Sequence, residues 1–467
     1  MVFSSYLFLF FFLPLALLGY YAAPVRWRQL VLTLFSYLFY GWANPWFCLL
    51  MLFNTSVDYT NGLLMEKYPA RKKLFVTISV TADLLILGFF KYFNFGLENY
   101  NALMSAMGIP EAQYAGFFRV VLPLGISFYT FQSMSYVIDV YRNEARVVRN
   151  FIDYACYVSM FPQLVAGPII RFQEIADQLR NRTCTLEKFT RGIAFFMLGM
   201  GKKILLANPC GKIADTMFNA GIVDTLDAWY GAIAYAFQIY FDFSGYSDMA
   251  IGLGLMLGFV FAKNFDSPYK SLSITDFWRK WHISLSTWLK DYLYIPLGGN
   301  RKGNVRTYVN LALVMLLGGL WHGASWNFLI WGGIHGGYLA FERFLGKESL
   351  YRRFPKLIQV TLTFFIVPIA WVFFRADSLP EAWRYLGCMF GWTASGDNAP
   401  VVRGLTWNLY YVSHFVLAGL VVWGLPQSWD FTRKLTWAKL AWCIAVFLIA
   451  LAALTTQSYN PFIYFIF

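Results

Sequence analysis

The stretch Leu311–Phe341, LALVMLLGGLWHGASWNFLIWGGIHGGYLAF, contains no Asp, Glu, Lys or Arg, and the charge-free run extends back to Thr307. A helical membrane span needs about 20 apolar residues, so these 35 are enough for a broken span or a tight helix pair. The clusters Gly318-Gly319, Gly332-Gly333 and Gly336-Gly337 allow close helix packing or a break. Two histidines, His322 and His335, sit within the run. An ionisable group at membrane depth is costly and marks a candidate functional site. The bland alternative for His322 is a neutral imidazole bonded to a nearby backbone carbonyl. Trp321, Trp326 and Asn327 beside it make a polar-aromatic cluster, which favours a site. Glycines on both sides of His335 favour packing there.

The whole chain has the same character. Of 467 residues, 58% are hydrophobic, 20% aromatic and only 13% charged, and mean hydropathy is +0.49. The charged share is about half that of a soluble protein, too little to cover the surface of a chain this long in water. Lipid is the natural solvent, and the fold expected is an all-α polytopic membrane protein.

Apolar segments fall at 3–22, 29–43, 46–65, 74–90, 117–138, 190–207, 228–262, 309–321, 326–341, 357–374, 405–424 and 440–455, about 12 transmembrane segments. Segment 151–168, with Pro162 and Gly167-Pro168, reads as re-entrant. The net charge of +13 is carried by short loops: Arg26/Arg28, 67–73, 142–149, 263–306, 342–356 and 433–439. Counted through the spans, these loops share one side, the cytoplasm, and both termini face outward. The charge therefore reports topology, and nucleic acid is not an expected partner. The N-terminal run lacks a basic region before its apolar stretch and reads as an uncleaved span. The six cysteines have no C-x-x-C pairing and suit apolar packing. With no soluble domain, linker or repeat, 1–467 reads as one membrane domain, with a core of about 117–345 and C-terminal spans over 357–455.

Two further segments bear chemistry. Ser273-Ile-Thr-Asp276 is a helix start, and the following FWRKWHISLSTWLKDYL is amphipathic. Trp278, Trp281, Leu285, Trp288, Leu289 and Tyr292 share one face; Arg279, Lys280, Lys290 and Asp291 share the other. This predicts one helix on the cytoplasmic membrane surface, with His282 at the edge of its apolar face. On pattern alone, site and structural roles for His282 balance. In YFDFSGYSDMAIG (240–252), Asp242 and Asp248 lie inside an apolar stretch, with Ser247 between them. Six residues apart, they do not stack on one helix face, and Gly245 is a candidate break. Direct catalysis is the weaker reading there. Structural pairing, or the lining of a channel, is the stronger one. Gly254-x-x-x-Gly258 fits helix packing. No metal-spaced Cys/His set, P-loop or G-x-S-x-G motif is present.

Three phrases together resemble the membrane-bound O-acyltransferases, in particular the bacterial branch that acetylates polysaccharides: YFDFSGYSDMAIG, FWRKWHISLSTWLKDYLYIPLGGNR (277–301) and GGLWHGASWNFLIWG (318–332). The likeness continues in MVFSSYLFLFFFLP (1–14), LPLGISFYTFQSMSYVIDVYR (122–142) and FPQLVAGPIIRF (161–172), and covers about residues 1–345.

The resemblance implies a ring-like helical bundle with a central pore or funnel, in the bacterial inner membrane. It assigns the family's histidines to His322 and His282. Asp242, Ser247, Asp248, Trp321 and Asn327 become channel or positioning residues. It implies no bound cofactor or metal. The donor would be acetyl-CoA, held by the basic loop through Arg279, Lys280 and Arg301, although relatives more often carry two arginines where this chain has Arg279-Lys280. His322 would act as general base or accept the acetyl group itself. A periplasmic acetyl-acceptor or acetyltransferase protein would finish transfer to a polysaccharide, alginate before peptidoglycan or cellulose. A non-catalytic acyl-carrier transporter is the rival from another class.

Overall fold

A computed structural model describes residues 1–109, 112–114, 118–346, 350–393, 399–457 and 459–463. Phe117, the first residue of an expected span, and Lys347 of a basic loop lie outside them. The described residues are helical with no strands, as the apolar pattern requires. They form two compact units, residues 1–183 with 323–325, and residues 184–322 with 326–467.

The N-terminal unit contains α1 (Leu13–Ala22), α2 (Arg28–Gly41), α3 (Trp46–Lys67), α4 (Lys72–Ala106), α5 (Ile126–Arg142), α6 (Phe151–Ser159) and α7 (Phe172–Asn181). The segment read as re-entrant breaks at Met160 and continues as a single turn, Phe161–Leu164.

The C-terminal unit begins with α8 (Leu186–Gly201), a wide π-helical turn Lys202–Ala207, and α9 (Asn208–Asn219). α10 (Thr225–Met256) is buried along nearly its whole length. Gly245 does not break it. Gly192 and Gly252 abut across the α8–α10 crossing, as do Gly199 and Gly245. A Cβ on Gly192, Gly199 or Gly252 would stand 2.5 Å from the facing glycine's carbonyl oxygen. At this crossing the packing glycines are these four. Gly258, read in sequence as one of a packing pair, lies past the helix end at φ +88.

Next come α11 (Ile274–Lys280), α12 (Ile283–Leu289), α13 (Gly303–His322) and α14 (Trp326–Leu345). The unit closes with α15 (Lys356–Arg375), α16 (Leu379–Met389), α17 (Leu409–Gly424) and α18 (Trp437–Thr456). α13 and α14 pack backbone to backbone: a Cβ on Gly319 would lie 2.2 Å from the Phe328 carbonyl oxygen. The glycine-rich run thus serves packing, with a short break at 323–325.

Among the described residues, four continuous helical stretches are long and apolar enough to cross a membrane: Pro69–Ala106, Leu186–Asn219, Lys356–Arg375 and Trp437–Thr456. A fifth is the pair Pro400–Thr406 and Leu409–Gly424, bent by 66°. The remaining expected spans are too short or too polar to qualify by themselves. α2 has 14 residues, for example, and the run 3–22 opens with a π-helical turn before the ten residues of α1. All six cysteines are free thiols.

Candidate functional site

The expected helix over the 273–292 segment is two helices. Ser273 caps the first as its sequence suggested, its hydroxyl accepting from the Asp276 N–H. The Glu342 carboxylate accepts the N–H groups of Ile274 and Thr275 as well. The helix ends at Lys280, Trp281 is extended, and His282 adopts φ +43, ψ +56, the left-handed region. Such a conformation in a non-glycine residue costs about 1–3 kcal/mol and clusters at functional sites. Backbone bonds over-determine it: Asp266 N–H to the Lys280 carbonyl, and Ile283 N–H to the Asn264 carbonyl, both at 2.9 Å. Trp281, Leu285, Trp288, Leu289 and Tyr292 are all buried in the protein, so this apolar face packs on the fold rather than lying on lipid. His282 is not at its edge but fully buried.

One side chain sets the chemistry of His282. Asn264 Oδ1 lies 3.2 Å from His282 Nδ1, and accepts from the Ser284 backbone N–H at 3.2 Å and the Ser284 hydroxyl at 2.9 Å. A backbone N–H only donates, so this amide atom is the oxygen, and Nδ1 must carry its proton to bond to it. Asn264 Nδ2 donates to Ser247 Oγ at 2.9 Å, which fixes the amide from the other side. The basic nitrogen of His282 is therefore Nε2, which has no hydrogen-bond partner in the protein. Burial first, and then the charge of nearby His322, push the His282 imidazole well below its ordinary pKa. It is neutral and holds its lone pair on Nε2.

His322 ends α13 and is 6% exposed. The Trp321 ring neighbours both histidines, with centroids 6.2 Å from His282 and 5.0 Å from His322. Trp331 and Phe374 meet His322 edge-on at 5.2 and 5.3 Å. His322 also lines a small apolar cavity, about 120 Å³, with Trp278, Leu285, Leu289, Met315 and Trp331. His335 is buried elsewhere in the same aromatic mass, and its Nδ1 accepts from the Trp278 indole at 3.3 Å.

The other expected site residues divide. Ser247 stands directly behind His282 through Asn264. Asn327 instead ties the start of α14 to the end of α15, donating to the Ala376 carbonyl at 2.6 Å. Asp242 is 2% exposed and pairs with Lys203 at 2.7 Å, while accepting from the Ile463 N–H at 2.8 Å. Asp248 pairs with Lys202 and accepts from the Ser428 hydroxyl, each at 2.6 Å. Each carboxylate thus has a lysine partner and clamps another segment. Of the expected donor-binding residues, Arg279 and Arg301 are exposed, while Lys280 is bound to Asp276 at 2.8 Å.

Sequence reasoning missed Asn264 and Ser284, which no periodicity distinguishes. It also missed Lys202 and Lys203 as counter-charges. Their signal was present, two lysines at the end of the expected span 190–207 and two aspartates inside another.

Comparison with known proteins matches residues 34–374 to the membrane-bound O-acyltransferase family. A probable alginate O-acetylase AlgI of Pseudomonas putida is 45% identical over the full length of both chains. A probable alginate O-acetylase AlgI of Pseudomonas aeruginosa is 48% identical over 92% of this chain and 82% of its own. The peptidoglycan O-acetyltransferase of Helicobacter pylori is 38% identical over 84% of this chain and 80% of its own. With the apolar helices and the paired histidines already in view, the chain belongs to the membrane-bound O-acyltransferase family.

Proposed function

We propose that this protein passes acetyl groups from cytoplasmic acetyl-CoA across the bacterial inner membrane for O-acetylation of an extracytoplasmic polysaccharide, alginate. The likeness to two probable alginate O-acetylases, one of them over its full length, supports the polymer. In this reading the chain works as one membrane domain, a ring with a funnel, with both termini in the periplasm.

The observation that carries the chemistry is the pair of buried histidines that share Trp321 as a neighbour, one of them fixed as a neutral base by Asn264. His322 takes the proton of the acceptor hydroxyl as the oxygen attacks the thioester carbonyl, and the departing thiolate recovers that proton from the imidazolium. His282 stays neutral beside it. Two imidazolium ions this near would repel, so a neutral His282 lets His322 take up the proton. The aromatic walls exclude water, which would otherwise hydrolyse the thioester. Arg279 and Arg301, exposed on the basic loop, suit the phosphates of the donor. A periplasmic acetyltransferase protein completes delivery to the sugar.

The test is His322→Ala in a host deleted for its own membrane subunit, with acetyl esters counted on purified polymer by NMR. Acetylation should fall by about 10²–10⁴-fold with protein still in the membrane fraction. Wild-type acetylation would remove His322 from the chemistry. If the wild-type chain in the same host restores acetylation of peptidoglycan but not of alginate, the reading transfers to the other polymer.

A further inference from the structure

The helices of the N-terminal unit turn polar faces toward one another. In the 35-residue α4, the buried residues are Ser79, Asp83 and Leu87, one stripe spaced by four, and two of the three are polar. Its Leu84 and Leu85 are exposed. α3 buries Asn54, Thr55, Asp58 and Asn61 on its matching face, and α5 buries Thr130, Gln132 and Ser133. In lipid, buried polar groups must find partners inside the fold, and intramembrane carboxyl groups mark ion or proton sites.

Here the polar groups stand near one another without closing hydrogen bonds. Asp58 and Asp83 are both fully buried. Asp58 faces Ser79, Ser133 and Asp83, and Asp83 faces Asn54. Yet all four carboxylate oxygens, both amide atoms of Asn54 and the hydroxyls of Ser79 and Ser133 lie outside hydrogen-bonding geometry with any protein group. Asn54 is only 1% exposed, and its amide, turned toward Asp83 without closing a hydrogen bond in strict geometry, is an independent sign of a ligand.

We propose that Asp58, Asp83, Asn54, Ser79 and Ser133 form a binding site for a desolvated monovalent cation of the size and hardness of sodium. The donors are all oxygens, the ligand type of hard cations. Two bare carboxylates so close together at zero exposure are strongly disfavoured. One ionised carboxylate against a cation, with the other protonated, leaves the cluster neutral. Among the described residues no third acidic, His or Cys ligand joins them, which disfavours a transition metal.

The test uses the full chain purified in detergent at mildly alkaline pH. Thermal unfolding is followed in a sodium chloride series against choline chloride at equal ionic strength, with binding of radioactive sodium measured in parallel. The site requires a saturable rise in Tm of several degrees with sodium only, and a stoichiometry of about one ion per chain. Asp83→Asn and Asp58→Asn should each abolish the sodium-specific shift. If a variant does not fold, the wild-type binding measurement decides alone. No sodium dependence in the wild type would overturn the proposal and leave the pair as a proton-sharing acid. Stabilisation by calcium or magnesium but not sodium would overturn it as well, and so would an undiminished shift in both variants.

Discussion

His282 and His335 are both fully buried among aromatic rings, and both leave Nε2 without a protein partner, yet they are opposite tautomers. The Trp278 indole can only donate, so His335 Nδ1 accepts and the proton of His335 sits on Nε2. Asn264 Oδ1, tied to the Ser284 N–H, can only accept, so His282 carries its proton on Nδ1. The lone pair of His335 is spent on a structural bond. That of His282 points at no protein group. Burial alone does not make a membrane histidine functional; the neighbour of the other nitrogen decides.

The hardest attempt to break this comparison is substitution at each ring. His282→Asn keeps a side chain that tolerates the left-handed conformation but removes the Nε2 lone pair. Acetyl transfer should fall by about 10²–10³-fold, while the unfolding temperature changes little. His335→Leu should do the reverse, retaining most turnover and lowering stability by about 1–3 kcal/mol, because the Trp278 N–H loses its acceptor. Polymer acetylation and thermal unfolding, measured on both variants, separate the two. Equal activity losses would collapse the distinction.

Asn264→Asp sharpens the same point through pH. A carboxylate at the Asn264 position can still accept from Ser284 and from His282 Nδ1–H, but it stabilises the imidazolium. That raises the His282 pKa from its depressed value. The neutral ring is the active form, so the acid limb of the pH–activity profile should move to higher pH, with about tenfold less activity at neutrality. A purely structural role for Asn264 would lower activity at every pH and leave the limb in place.

The sequence located these rings better than it explained them. His322 was legible because a titratable group in a charge-free run is expensive, and the phrase around it matches the family that the comparison found. The His282 segment was legible as a helix start and an apolar face. Its interruption was not, because the left-handed turn is enforced by Asn264 and Asp266, residues from outside that segment. Asp242 and Asp248 read as polar intrusions whose purpose was open; only folding shows that the adjacent lysines Lys202 and Lys203 meet them one to one. Gly245 looked like a helix breaker because a glycine in isolation weakens a helix. Against Gly199 it is a contact point, which depends on the partner helix and not on local propensity.

The smallest effect tests the structural half of the comparison. Trp278→Phe keeps most of the ring edge-on to Trp331 and His335 but deletes the indole N–H that His335 Nδ1 accepts at 3.3 Å. A neutral hydrogen bond of this kind contributes about 0.5–1.5 kcal/mol net, so the unfolding temperature should drop by only a few degrees. The informative measurement is the double-mutant cycle. In the His335→Leu background the indole donor has already lost its acceptor, so Trp278→Phe should cost almost nothing there, or stabilise slightly by removing a buried donor with no acceptor. Additive losses would mean that Trp278 and His335 act independently. The bond that fixes the His335 tautomer would then carry no weight, and the contrast with His282 would rest on Asn264 alone.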